Sequence, residues 1–205
     1  MRKRPPVLAF CIYACAFIVG GVLMGFEMLG SRYLFPYFGG GIGTWASLIS
    51  TVLCALAIGY FAGSAIVAAG NPSQGTIALA ILIAAGYLAS VPATADPVMA
   101  AILNSLGDGA SATLLASTAL LLVPLSLLGT FSPIAVGLLT RSADEAGRVA
   151  GLVYGVSTVG NVVGTLLTTF TLIPAIGSRA ITYIFAAVLA GCSGVLFLNP
   201  AKQAY

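Results

Sequence analysis

Residues 7–29 read VLAFCIYACAFIVGGVLMGFEML, an apolar run whose single charged residue is Glu27. As a helix rising about 1.5 Å per residue, the run matches a hydrocarbon layer of about 30 Å. A membrane-spanning helix is therefore the expected form of this stretch. An ionised carboxylate is costly at such a depth, so a retained one faces a protein interior, meets a cation or marks a functional site.

The rest of the chain repeats the pattern. Its 205 residues are 60% hydrophobic and 6% charged, with no histidine, and the mean hydropathy is +1.09. So little polar surface cannot clothe a water-soluble globule. Apolar runs at 7–29, 43–69, 75–94, 111–139, 149–174 and 180–198 predict an all-α, polytopic membrane bundle forming one domain over 1–205. The first run follows Arg2, Lys3 and Arg4. Its length and the absence of a small-residue cleavage site before Glu27 favour a retained helix over a signal peptide.

Turn formers and charges punctuate the runs: Gly39-Gly40-Gly41, Asn71-Pro72-Ser73, Asp96-Pro97, the segment 141–148 and Ile176-Gly177-Ser178. Asp96 and Asp108 are expected to bracket a loop whose stretch 98–106 lies at the interface. Pro124 and Pro133 should kink or break the fourth run, which makes six crossings, or seven if it splits. With six crossings both termini share a side. Placing them in the cytoplasm puts Arg2, Lys3, Arg4, Arg141, Arg148 and Lys202 there, against Arg32 and Arg179 outside. That split follows the positive-inside rule.

Small residues mark the expected contacts between helices. Ser47, Thr51, Ala55, Gly59 and Gly63 recur every fourth residue of the second helix. Gly151 with Gly155, and Gly160 with Gly164, make two smooth patches on opposite sides of the fifth. Such spacing lets backbones approach closely. Between the patches runs a polar stripe of Tyr154, Thr158, Asn161, Thr165 and Thr168. The threonines can bond to their own helix, whereas the Asn161 amide should reach a neighbouring helix or line a wet cavity.

Glu27 shares its helical face with Gly20, Met24 and Ser31, so it should point at a packed neighbour. Arg32 lies just past the expected helix end, leaving two readings open: a local ion pair, or a cation or proton site. Tyr33 and Trp45 are expected as interfacial aromatics. Cys11, Cys15, Cys54 and Cys192 lie in apolar helices, and with no histidine present they form no recognisable metal set.

Catalytic signatures are also missing. There is no histidine base, no acid/base pair of carboxylates, and no strand ahead of the glycine cluster 39–43. The net charge of +3 is dispersed as topology signals, which argues against nucleic-acid binding. Neither catalytic residues nor cofactors are expected.

One constellation carries a resemblance. Glu27-Met28-Leu29-Gly30-Ser31-Arg32, Pro36, the glycine run, Trp45 and Gly59-Tyr60-Phe61-Ala62-Gly63 are followed by 147–154 (GRVAGLVY), Gly160, Gly164, Pro174 and Gly177-Ser178-Arg179. Over nearly the whole chain this resembles the membrane region of the fused major-facilitator/spermidine-synthase-like proteins. The resemblance implies a transporter-like helical module in a bacterial cytoplasmic membrane. It also implies a soluble aminopropyltransferase-type domain in relatives, with no counterpart in the sequence ending at Tyr205. Two positions depart from that family: Ser157-Thr158 replaces an Asn-Thr pair, and 63–75 carries no charge. The expected ligand is a small amine or other cation held by Glu27, Arg32, Tyr154, Thr158, Asn161 and Thr165. The other expected role is a non-catalytic subunit, with the lipid bilayer, a second copy or a larger membrane complex as partners.

Overall fold

Glycines with positive φ stop the helices where the chain must turn. In the computed structural model, which describes residues 6–70, 72–140 and 142–198, Gly39, Gly70, Gly107 and Gly177 have φ between 70° and 76°. This left-handed region favours a residue without a Cβ. The helices are α1 (Pro6–Phe38), α2 (Ile42–Ala68), α3 (Gln74–Leu106), α4 (Ala110–Gly129), α5 (Phe131–Leu139), α6 (Ala143–Leu167), α7 (Ile173–Ile176) and α8 (Ser178–Leu198). A π-helical turn, Thr168–Leu172, joins α6 to α7. No strand occurs among the described residues. Six helical stretches are long and apolar enough to cross a membrane, so the chain is an all-helical, multi-pass membrane bundle.

Two helices outrun the sequence expectation. α1 continues from Leu29 to Phe38, through Arg32 and Pro36. Pro36 cannot donate to the carbonyl of Arg32, but both residues lie on the exposed side, where the freed carbonyl is not buried. α3 likewise runs past Thr94 to Leu106, so Asp96-Pro97 is helical and 98–106 is no separate interfacial segment. Pro97 leaves free the carbonyl of Ala93, which is exposed. At about 50 Å, α3 exceeds the hydrocarbon thickness and must tilt or project. Ser73 caps its start by accepting from the Thr76 amide at 3.0 Å.

The expected interruption of the fourth crossing lies at Thr130. Pro133 cannot bond to the carbonyl of Gly129 and crowds it; Thr130 closes the preceding turn through bonds to Ser126 and Leu127. The nine residues of α5 extend the same crossing, giving six spans and not seven. The widened turn before α7 has a similar cause. Pro174 would crowd the carbonyl of Phe170, and the Ile173 amide bonds five residues back to Thr168.

α1 is the hub, packing on α2, α3, α4, α5, α6 and α8. Its Ile12, Phe26, Leu29 and Leu34 are wholly buried, alongside Leu121 and Leu125 of α4 and Ile77 and Leu88 of α3. The closest contacts use glycines. A Cβ on Gly160 would strike the Phe17 backbone, and one on Gly164 the Gly21 backbone, so α6 lies directly on α1. On α2, a Cβ at Gly59 would meet Ser126 and Gly129, and one at Gly63 would meet Thr130 and Pro133. Gly151 and Gly155 differ: nothing lies within 4 Å of a Cβ at either. The second expected patch on α6 is therefore unoccupied among the described residues.

Of the residues in the charge split, Arg2, Lys3, Arg4, Arg141 and Lys202 lie outside the described residues, as does Asn71 of the first polar turn. Arg148 is not in a connector but on α6, which begins at Ala143.

Candidate functional site

Helical phase on α1 sets up the site. Val19, Leu23 and Glu27 are spaced by four and so form one stripe, about 6 Å apart per step. Val19 and Leu23 floor a cavity of about 30 Å³, roughly the size of one water. Its polar lining is Tyr60 of α2, Ser132 of α5, and Ser157 and Asn161 of α6. Glu27 stands one turn beyond Leu23 and is only 7% exposed.

The carboxyl of Glu27 has no hydrogen-bond or ion-pair partner among the described residues. Arg32 is exposed and does not pair with it. Five residues separate the two along a continuous helix, a rotation of about 140°, so their side chains diverge. The expected ion pair at a helix end is therefore not formed, because the helix does not end there.

Asn161 meets both of its expected fates. With the amide turned as its surroundings require, Nδ2 donates to the Gly20 carbonyl at 2.8 Å and to the Ser157 carbonyl at 3.3 Å. Gly20 makes this possible, since a Cβ there would lie 2.8 Å from the Asn161 side chain. The neighbouring threonines bond within their own helix: Thr158 donates to the Tyr154 carbonyl at 2.8 Å and Thr165 to the Asn161 carbonyl at 2.9 Å. These two hydroxyls are thus quietened and cost the stripe little in an apolar setting.

Tyr154 meets Tyr60 across the gap between α6 and α2, edge to face, with ring centroids 6.1 Å apart at 90°. Tyr60 and Ser132 line the cavity without being among the residues the sequence points to. One signal for Tyr60 was available: it lies well inside a span, whereas interfacial tyrosines cluster at span ends. Ser132 offered none, since its place depends on how α5 turns at Thr130.

Tyr33 corrects its expectation. It is buried, and its hydroxyl lies 2.9 Å from Thr182 Oγ1, tying α1 to α8. Trp45 is partly exposed. Beside Tyr33, Tyr37 donates to Asp96 at 3.3 Å, and Asp96 pairs with Arg179. This polar cluster lies at the C-terminal end of α1, whereas the cavity lies against its middle, at Val19 and Leu23.

The chain matches no protein-family profile, no curated protein and no solved structure. Function therefore has to be argued from the site. Among the described residues, no group of three side chains is placed to hold a metal ion.

Proposed function

We propose that the chain is a transporter-like membrane module that handles a small cation, with an organic amine as the favoured class, in the cleft between α1, α2 and α6. The observation that carries this reading is Glu27: a buried carboxyl without a partner, on the α1 stripe that floors a polar cavity. A partnerless carboxyl within an apolar span attracts a cation or proton. Asn161 and Ser157 supply polar groups against Gly20, about two turns from Glu27 along α1. The likeness of the Glu27–Arg32 and Gly59–Gly63 motifs to a transporter-related family points the same way. The charge split supports cytoplasmic termini in a bacterial inner membrane.

Reconstituted vesicles test the reading. Labelled polyamine should enter vesicles carrying the wild type, and Glu27→Gln should abolish that flux. Equal flux in both proteins would overturn the role of Glu27. No aminopropyl transfer from decarboxylated adenosylmethionine to putrescine is expected, because this reading gives the chain no catalytic residues.

One observation favours a second reading, a non-catalytic subunit of a larger membrane complex. Gly151 and Gly155 present a small-residue patch on an exposed face of α6, the kind of surface on which another helix packs closely. Absence of flux, together with a defined set of proteins co-purifying in mild detergent, would establish the subunit reading instead.

A further inference from the structure

α2 and α6 form the two walls of the cleft, yet they share no extended interface. α2 packs chiefly on α4, and α6 chiefly on α1. What bridges them is the edge-to-face pair of Tyr60 and Tyr154. Tyr60 is itself part of the cavity wall. Both rings are partly exposed, Tyr60 at 38% and Tyr154 at 39%.

The two rings are mounted very differently. Tyr60 follows Gly59, which is pressed against α4, so its wall is fixed. Tyr154 precedes the contact of Gly160 and Gly164 with α1 and lies on the first half of α6, where Val153 is the one buried side chain. Its neighbours Gly151 and Gly155 meet nothing. Beyond the glycine contact the helix widens into the π turn, a feature that often marks functional hinges. α6 thus has a tight fulcrum, a lightly held arm carrying Tyr154, and a deformable turn on the other side.

We propose that the Tyr60–Tyr154 contact is a gate over the cavity, opened by movement of the first half of α6 away from α2. It acts on the site of the proposed transport reading and rests on that reading for its purpose. A cavity of about 30 Å³ holds a water but no organic amine, so an amine enters only when these walls part.

Access can be measured without any transport. In a background with Cys11, Cys15, Cys54 and Cys192 changed to alanine, Ser157→Cys places a thiol on the cavity wall. Its modification by the trimethylammonium-ethyl methanethiosulfonate cation is followed in reconstituted vesicles. Adding Tyr60→Ala and Tyr154→Ala should speed modification by about tenfold, the equivalent of one aromatic pair. Tyr60→Phe with Tyr154→Phe keeps both rings and should leave the rate unchanged. If the double alanine variant does not fold, Tyr154→Ala alone carries the same expectation, since that part of α6 is lightly packed. An unchanged rate on removing the rings, or equal acceleration by phenylalanine and alanine, would overturn the gate. Neither outcome depends on whether amines are transported, so the gate and the transport reading fail separately.

Discussion

Gly160 and Gly151 sit on the same helix and look alike in sequence, but their surroundings are opposite. Gly160 and Gly164 have backbone of α1 where a side chain would go, whereas Gly151 and Gly155 have open space. Gly164→Ala should therefore cost about 1–3 kcal/mol through overpacking. Gly151→Ala should be neutral or slightly stabilising, since alanine is the better helix former. Thermal unfolding in detergent, read separately for the two variants, checks the contrast; equal effects would contradict the packing. Sequence spacing revealed both patches but could not tell them apart, because which face of α6 meets α1 is a property of the assembled bundle. The same holds for Glu27. Its burial was legible from Gly20 on its own face, while its lack of a partner depended on α1 continuing past Arg32.

At the scale of the element, helix existence was legible and helix ends were less so. Hydropathy located all six crossings, since each must bury about twenty apolar residues. It misplaced the ends of α1 and α3 because the apolar runs break at Arg32 and at Asp96-Pro97, whereas the helices continue through both. The continued α3 has a consequence of its own: it carries Asp96 to Arg179 at the start of α8, with Tyr37 of α1 bonded to the same carboxylate. This cluster joins three helices at one end of the bundle. Being exposed, the ion pair should contribute no more than about 1 kcal/mol. Asp96→Asn is expected to lower the unfolding temperature slightly, and the exchange Asp96→Arg with Arg179→Asp to restore part of the loss. A drop as large as that from Gly164→Ala would show the cluster to be far stronger than its exposure implies.

Over the whole molecule, the six membrane-length helices and the distribution of lysine and arginine lead to the expectation that both chain ends face the cytoplasm. Reporter fusions after Gly70 and Thr140 should accordingly report cytoplasm, and fusions after Gly107 and Ile176 the outer side. A reversed pattern would refute the orientation. Tyr60 lies in the half of α2 nearer the α2–α3 turn, so in the expected orientation the proposed gate would open inward. The bundle itself was legible as a class. Its central cleft was not, since a cleft arises from the angle between α2 and α6, which no local pattern records.

The seam between α1 and α6 also sets a timetable for biogenesis. Gly21 and Gly164 belong to the first and fifth crossings, and at ordinary rates of synthesis the second glycine emerges on the order of ten seconds after the first. During that interval α1 lacks the α6 backbone that packs against Gly21. A photocrosslinker at Phe17, whose backbone meets Gly160 and whose own side chain is partly exposed, is expected to capture lipid or the insertion machinery in chains arrested at Leu139, and α6 in chains carried past Leu198. Capture of α6-independent partners at both lengths would contradict this order. α1 is thus synthesised well before two of the helices that cover it, and its enclosure is complete only when α6 and then α8 have reached it.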